Sequence, residues 1–221
     1  MATDHLIPKD VHEKWQVREW RNAAGVLKTA KPEEWDDVMG CLRAFRFSTQ
    51  EIVAGGGNRS ALSRKFDGYL VDRGWKEKQF NTAIQIDKDD VRQSPTHKVD
   101  NFKNGVALEL EWNNKDPFYD RDLNNFRLLF ELRVIEVGII VTRCSDLQHI
   151  FKKLGIYSSY GQSTTHMDKL IPRLEGGGGG GCPILAFGIT EKLYDETMSV
   201  EEARAQAKKA KKKAAEDQLD L

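Results

Sequence analysis

The sequence predicts an α/β fold, and three consecutive segments carry this prediction. An Asn104-Gly105 turn signal precedes an apolar, alternating run, a combination typical of a β-hairpin. Apolar residues at helical spacing come next, and a Val/Ile-rich run from Val134 to Val141 follows them. A hairpin, an amphipathic helix and a buried strand in this order indicate one α/β core.

The predicted hairpin carries acidic side chains. Asp100 precedes the turn, and Glu109 and Glu111 follow it. Successive side chains of a strand point to opposite faces, so Glu109 and Glu111 share one face. Leu108 and Leu110 occupy the other face. Folding back across the turn brings Asp100 beside Glu109, and we expect the three carboxylates to converge.

Three carboxylates at one point are a candidate Mg²⁺ site. Mg²⁺ prefers hard oxygen ligands, and it completes its shell with water and substrate phosphate. Carboxylates packed so closely repel one another, so the cluster implies a cation. The alternative is that Glu109 and Glu111 form only the solvated face of an amphipathic strand, which the alternation also predicts.

The next two elements are a helix and a strand. Apolar residues at helical spacing predict an amphipathic helix from about Tyr119 to Arg133. These residues are Leu123, Phe126, Leu129 and Phe130. The run from Val134 to Val141 predicts a buried strand, so the acids are expected at a strand end of the core.

Length and charge suggest one domain with a small appendage. The chain has 221 residues, with 34 Lys plus Arg and 34 Asp plus Glu, so its formal net charge is zero. We expect residues 1–198 to form the domain and residues 199–221 to form a charged, Ala/Lys-rich, solvated helical tail. Without a global positive field, any nucleic-acid binding must use local basic patches.

Several other classes of protein are disfavoured. Cys41, Cys144 and Cys182 have no CxxC spacing and are predicted to be reduced thiols, and the histidines show no zinc-binding spacing. The glycine-rich segments, residues 55–57 and 176–181, match no nucleotide-binding loop, and the six-glycine run is predicted to be a mobile loop. The chain shows no signal peptide or membrane span, so we expect a soluble, cytoplasmic protein.

The order of these features resembles the BglII/BstYI group of type II restriction endonucleases, members of the PD-(D/E)xK nuclease superfamily. Eight residues separate the first two acids, and the matching positions are Asp100, Glu109, Glu111, Trp112, Asn113 and Asn114. Further similar segments are Gly55–Ser60, Gly74–Glu77, Tyr157–Tyr160 and Pro183–Ile189. The resemblance covers roughly residues 35–190 and implies a restriction endonuclease-like core, with a central mixed β-sheet flanked by helices.

The last acid departs from the superfamily pattern. That position usually holds Lys, and BglII and BstYI have Gln there, whereas this chain has Glu111, as BamHI has Glu. A glutamate can bind a second metal ion or act as a general base. The number of metal ions stays open.

The resemblance implies a homodimer that cuts double-stranded DNA at a short palindromic site, built around GATC in family members, with Mg²⁺ as cofactor. Asp100, Glu109 and Glu111 would bind the metal ion and carry catalysis. One alternative is a nuclease of the same fold with a role in repair, nicking or modified DNA. Another is a DNA-binding relative without catalysis, against which the intact acids argue.

Residues after the catalytic strand reach base edges in this family, and Asn113, Asn114 and Lys115 hold that position. A second predicted contact region is the loop from Tyr157 to His166, although an ordinary surface loop would also be polar. Its candidates are Ser158, Ser159, Gln162, Ser163 and Thr164. Arg59 is predicted to lie near a DNA phosphate, and the alternative is that its glycine-rich segment is only a flexible N-terminal cap of the next helix. Other basic candidates, each a phosphate contact or a solvated charge, are Arg64, Lys65, Lys76, Lys78, Lys152 and Lys153.

Overall fold

The structure is a computed structural model that describes residues 3–53, 60–93, 96–161, 163–196 and 198–217. Its strands are β1 Trp15–Trp20, β2 Phe47–Ser48, β3 Lys76–Lys78, β4 Ala83–Asp87, β5 Asp90–Gln93, β6 Val99–Lys103, β7 Val106–Glu111, β8 Val137–Arg143, β9 Ile184–Ile189 and β10 Tyr194–Asp195. Its α-helices are α1 Lys9–His12, α2 Ala23–Ala30, α3 Pro32–Ala44, α4 Thr49–Val53, α5 Ala61–Val71, α6 Phe118–Glu131, α7 Gln148–Lys153, α8 Met167–Glu175 and α9 Val200–Asp217.

A six-stranded mixed sheet forms the centre of the fold, in the order β1-β9-β8-β7-β6-β3. Strands β7, β8 and β9 run parallel, and the pairs β1/β9, β6/β7 and β3/β6 are antiparallel. Helices cover both faces: residues of α3, α5 and α7 pack on one face, and residues of α6 and α8 pack on the other. The predicted α/β core with a mixed sheet flanked by helices is confirmed.

The hairpin of β6 and β7 forms as predicted. Asn104 has φ 42° and Gly105 has φ 80°, the left-handed backbone that a tight hairpin turn requires and that Asn-Gly provides. Asn101 pairs with Leu108, and the same register places Asp100 opposite Glu109. The turn therefore determines which acids face each other.

Residues of β7 alternate between the two cores. Leu108 and Leu110 join the core on the α3 and α5 side, whereas Ala107 joins the core beneath α6 and α8. Glu109 and Glu111 share the face of Ala107 by the same alternation. Both acids therefore lie on the α6 side of the sheet rather than on a solvated face.

Element boundaries differ from the predicted ones by a few residues. The helix predicted over 119–133 is α6, and the strand predicted over 134–141 is β8, which begins at Val137. The backbone N–H groups of Val134 and Ile135 donate to the carbonyl of Leu129, so these two residues close the end of the helix instead of starting the strand. The segment Pro183–Ile189, which resembles the family, contains β9, and this strand begins at Ile184.

The six-glycine run does not match the predicted mobile loop. Its backbone forms hydrogen-bonded turns, in which Gly178 N–H donates to Arg173 O and Gly180 N–H donates to Gly177 O. Gly179 is buried, and a Cβ there would overlap the side chain of Ile184. The run therefore has a defined course, because the lack of side chains permits close packing as well as flexibility.

The predicted charged tail forms a helix that begins against the domain. The tail is helical from Val200 to Asp217, as predicted, but Ala203 is buried and Arg204 donates to the carbonyl of Leu154. The first turns of α9 thus pack on the domain, beside α4.

The three cysteines are buried and carry free thiols, in agreement with the sequence prediction. No helix within the described residues has the length and apolar character needed to cross a membrane.

Close packing between β8 and α6 leads to a stability prediction. A Cβ at Gly138 would overlap the buried ring of Phe126. We expect Gly138→Ala to lower the free energy of unfolding by about 1 to 3 kcal/mol. Gly68→Ala is a matched control, because no atom lies within 4 Å of a Cβ there. Because Gly68 lies inside α5, Gly68→Ala should raise the free energy of unfolding by roughly 0.5 to 1 kcal/mol. Urea denaturation measures both effects, and equal shifts would contradict the packing argument.

Candidate active site

Four acidic side chains gather on the α6 side of the sheet, near the end of β7. Asp100 comes from β6, Glu109 and Glu111 from β7, and Asp122 from α6. Glu109 and Glu111 are each 1% exposed and Asp122 is fully buried, whereas Asp100 is half-buried. The cluster thus has one partly accessible side, at Asp100.

Asp100 and Glu109 contact each other. The backbone N–H of Asp100 donates to Glu109 Oε2 at 3.2 Å. The backbone N–H of Leu110 donates to Asp100 Oδ2 at 3.5 Å. These reciprocal bonds across the hairpin hold the two carboxylates side by side, as predicted from the sequence.

Glu111 has different partners. Arg121 Nη2 lies 3.3 Å from Glu111 Oε1, and Asn114 Nδ2 donates to Glu111 Oε2 at 2.6 Å. The same guanidinium contacts Asp122 Oδ1 through Nη2 at 2.8 Å and through Nε at 2.9 Å. Glu111 and Asp122 therefore share one basic side chain.

Burial controls the protonation of these acids. Desolvation raises the pKa of Glu109 well above its usual value, and the charges of Asp122 and Asp100 raise it further. Desolvation, the charge of Asp122 and a proton shared with Asp122 raise the pKa of Glu111 to about 9. Burial also raises the pKa of Asp122, against the opposing effect of Arg121. The buried carboxyl groups of the cluster therefore need additional positive charge beside them if all of them are to be ionised.

The predicted trio is only partly assembled. Within the described part of the chain, no three His, Cys, Asp or Glu side chains are arranged to hold a metal ion. Asp100 lies against Glu109, whereas Glu111 is turned toward Arg121 and Asn114. Glu109 Oε1 and Asp122 Oδ2 are buried and have no donor partner. Unpartnered buried carboxylate oxygens are costly, and a cation would satisfy them.

The two predicted DNA-contact segments lie side by side. Lys115 and Thr164 form an antiparallel bridge. Asp116 N–H donates to Ser163 O at 3.1 Å, and Thr165 N–H donates to Asn114 O at 2.8 Å. We call residues 113–116 and 157–166 together the loop pair. It begins two residues after Glu111, so it adjoins the acid cluster.

A protein-family model described as "Restriction endonuclease BglII/BglIII" matches residues 15–189. The chain belongs to this family. The match begins at the first residue of β1 and ends at the last residue of β9, so it spans the whole sheet and the acid cluster. The protein is therefore a nuclease of the BglII type that acts on DNA. No curated protein matches the sequence significantly.

Hydrogen bonds connect the loop pair to β7, the strand that carries Glu109 and Glu111 in this BglII-type nuclease. The carbonyl of Glu111 accepts from Thr142 Oγ1 at 2.7 Å and from Thr165 Oγ1 at 3.1 Å. Arg143, fully buried at the end of β8, donates to Tyr160 O and to Thr164 Oγ1. The loop that is predicted to read DNA is thus fixed to the strand that carries Glu111.

The predicted DNA-contact residues differ in exposure. Those that are exposed are Asn114, Lys115, Ser158, Ser159 and Ser163. Asn113 is half-buried and donates to Ser159 O at 2.9 Å, and Thr164 is half-buried with its hydroxyl bonded within the loop. Arg59 and Gln162 lie outside the described residues.

Several of the predicted basic contacts are partly engaged. Lys65 pairs with Glu51, and Lys153 pairs with Glu196, so part of their charge is compensated. Lys152 lies over the ring of Tyr157. A pocket of about 570 Å³ opens beside the loop, and its lining includes Gln148, Lys152, His166 and Lys169.

Sequence reasoning missed Arg121 and Asp122. Both lie on α6, beyond the hairpin that drew attention to the other acids. One signal could have found Asp122, since it lies one turn after Tyr119 and one turn before Phe126, on the apolar face of the helix. A carboxylate on such a face is expected to have a partner.

Proposed function

We propose that this BglII-type endonuclease is a homodimer that cuts double-stranded DNA at a short palindromic site with Mg²⁺ as cofactor. Asp100 and Glu109 would hold the metal ion, and Glu111 would bind or activate the attacking water. The observation that carries this proposal is Glu109, a buried carboxylate on the hairpin with an oxygen that has no donor.

The acid cluster fits a divalent cation. Its carboxylate oxygens are the donors that Mg²⁺ prefers, and Mg²⁺ is often bound through one or two protein carboxylates plus substrate phosphate. When bound, the ion would polarise the scissile phosphate and make a metal-bound water more acidic. The half-buried Asp100 marks the side from which a DNA phosphate would reach the cluster.

The protein groups orient the acids before DNA arrives. The N–H of Asp100 orients Glu109, and the N–H of Leu110 orients Asp100. Asn114 and Arg121 hold the two oxygens of Glu111. Such pre-organisation favours the transition state, because the groups need little rearrangement during the reaction. Held in this way, the carboxylate of Glu111 can act either as a metal ligand or as a general base.

The loop pair would read the DNA sequence. The proposed DNA-contacting residues of the loop pair are Asn113, Asn114, Lys115, Ser158, Ser159, Gln162, Ser163 and Thr164. Arg59, which is not part of the loop pair, is the proposed phosphate contact. The support is that two segments about 50 residues apart in sequence are joined by backbone hydrogen bonds and present exposed polar side chains. Side-chain amides and hydroxyls are groups that read base edges in the major groove. A site built around GATC is proposed from the family resemblance.

Asn114 provides a test of base reading. We expect Asn114→Ala to reduce discrimination at one base pair by about 1 to 3 kcal/mol, because its amide can pair with a base edge. Loss of the hydrogen bond from Asn114 to Glu111 should also make cleavage by this variant slower. Competition binding with single-substitution oligonucleotides measures discrimination, and Asn81→Ala serves as a control at another exposed asparagine. A uniform loss of affinity for all sequences would assign Asn114 to positioning instead.

Dimerisation can be tested on α6. Leu123, Phe126 and Leu129 are buried in the core, whereas Leu128 is 38% exposed and Leu132, just after the helix, is 50% exposed. One acid cluster per chain cuts one strand, so a palindrome calls for two subunits. We expect the protein to sediment as a dimer.

The double variant Leu128→Asp/Leu132→Asp should shift the protein toward monomer. Val71→Asp is the matched control, because Val71 is an apolar residue at the end of α5 with 55% exposure. A wild-type monomer that breaks both strands in one binding event would overturn the dimer proposal.

Digestion of supercoiled plasmid with and without Mg²⁺ tests the function as a whole. Discrete linear fragments with defined ends, formed only with Mg²⁺, would support a type II endonuclease. Nicked circles alone would favour the alternative of a nicking or repair nuclease. Specific binding without cleavage under any divalent metal would favour an inactive DNA-binding relative.

A further inference from the structure

We propose that Arg121 takes the place of a second metal ion in the acid cluster, so that the site accepts one divalent cation, at Asp100 and Glu109. This inference rests on the proposed function, because it concerns how the proposed metal site is charged. It also assigns a positioning role to Arg121 and Asp122.

Arg121 neutralises one half of the cluster. Its guanidinium lies 2.8 Å from Asp122 Oδ1 and 3.3 Å from Glu111 Oε1. The Asp122 and Glu111 side chains are 0% and 1% exposed, whereas that of Arg121 is 32% exposed. One cation thus bridges two buried carboxylates from the outside, as a metal ion would. Removing it would leave buried charge uncompensated.

The arginine is held where it stands. Its guanidinium carbon lies 4.2 Å from the centre of the Phe118 ring, one turn earlier on α6. Nε and Nη2 both reach Asp122, so the planar group is oriented as well as anchored. Asn114 holds the second oxygen of Glu111, so this carboxylate is fixed on both sides.

The other half of the cluster has no such compensation. Among the contacts of the described residues, Glu109 accepts a hydrogen bond from the backbone N–H of Asp100, and no basic side chain pairs with it. Glu109 Oε1 is buried without a donor. Asp100, its neighbour, is the accessible acid of the cluster. Among the described residues, Asp100 and Glu109 are therefore the two carboxyl groups of the cluster without a basic side chain beside them, and the added cation belongs there.

Counting bound metal ions tests this inference without using activity. Metal-free, full-length protein is titrated with Mn²⁺ in the absence of DNA, and free Mn²⁺ is measured by electron paramagnetic resonance. We expect one Mn²⁺ per wild-type chain. Arg121→Ala should raise the number to two, because it exposes Glu111 and Asp122 to a hydrated ion. Arg121→Lys, which keeps the charge, should stay at one.

Two further variants serve as controls. Arg121→Ala/Asp122→Asn removes one charge of each sign and should return the number to one. Arg127→Gln removes an exposed arginine of the same helix, which bonds to Asn124, and should also stay at one. Circular dichroism checks that each variant is folded. If Arg121→Ala is unfolded, Arg121→Gln, which keeps more of the side chain and removes the charge, takes its place and should likewise bind two ions.

The outcomes separate this inference from the proposed function. Two ions per wild-type chain, or one ion in a folded Arg121→Ala variant, would overturn the role of Arg121 and leave the nuclease proposal standing. Loss of the single ion in Glu109→Gln would support the site at Asp100 and Glu109. No bound ion in wild type, or binding that Glu109→Gln does not change, would overturn the metal site itself and this inference with it.

Discussion

Glu109→Gln is expected to abolish DNA cleavage while leaving binding of the cognate DNA largely intact. The substitution keeps the shape of a fully packed side chain and removes the charge that would hold the metal ion. A metal ligand stabilises the transition state more than the enzyme–DNA complex, so the loss should appear in kcat. We expect a decrease of ~10³-fold or more, comparable to removing a principal electrostatic contact. Removing a negative charge near the phosphates should not weaken DNA affinity.

Single-turnover cleavage and a gel-shift assay in Ca²⁺ measure these two quantities separately. Glu131→Gln is the matched control, because Glu131 is an exposed glutamate at the end of α6. It should cleave like wild type. Near wild-type cleavage by Glu109→Gln would show that the metal site is assigned wrongly. Loss of DNA binding together with cleavage would indicate a folding defect, which denaturation curves would reveal.

The hairpin and its acids could be predicted from sequence because the rules that govern them are local. Asn104-Gly105 specifies a turn in which both residues have positive φ. Strand alternation then places Glu109 and Glu111 on one face, and the register across the turn brings Asp100 to Glu109. The family model that spans residues 15–189 agrees with the fold inferred from the same residues.

The charge balance of the site could not be predicted in this way. Arg121 and Asp122 follow the strand by ten residues or more, and they meet Glu111 only because α6 packs on this face of the sheet. In sequence they look like ordinary charges of a solvated helix, and only the position of Asp122 on the apolar face argues otherwise. The pairing of the loop pair is likewise long-range, since Lys115 bridges to Thr164.

The six-glycine run was predicted wrongly because glycine content alone has two structural explanations. Glycine is common where a chain must be flexible and also where backbones pack too closely for a Cβ. Sequence alone does not separate these causes. Here Gly180 O accepts hydrogen bonds from Trp20 and Arg21, and Gly179 packs on Ile184, so close packing is the cause.

The stability of the metal-free protein is expected to fall as the pH rises from about 5 to about 9. Burial raises the pKa of Glu111 from 4.5 to about 9 and raises that of Glu109 well above its usual value. Between these limits the folded state holds protons that the unfolded state has released. The free energy of unfolding therefore decreases with pH over this window. For Glu111 the decrease should be roughly 1 to 4 kcal/mol, since each unit of pKa corresponds to about 1.4 kcal/mol and part of the shift is shared with the hydrogen-bonded Asp122.

Urea denaturation in EDTA at a series of pH values measures this slope, and two comparisons isolate its origin. Glu111→Gln should flatten the slope, because its amide does not ionise, whereas Glu131→Gln should leave it unchanged. Saturating Mg²⁺ should also flatten it in wild type, because a bound cation stabilises the ionised carboxylates of the folded state. A wild-type slope that Glu111→Gln does not alter would show that Glu111 ionises normally in the folded protein. The burial of Glu111 against Asp122 and Arg121 would then not control its charge, and the cluster would need no added cation at neutral pH.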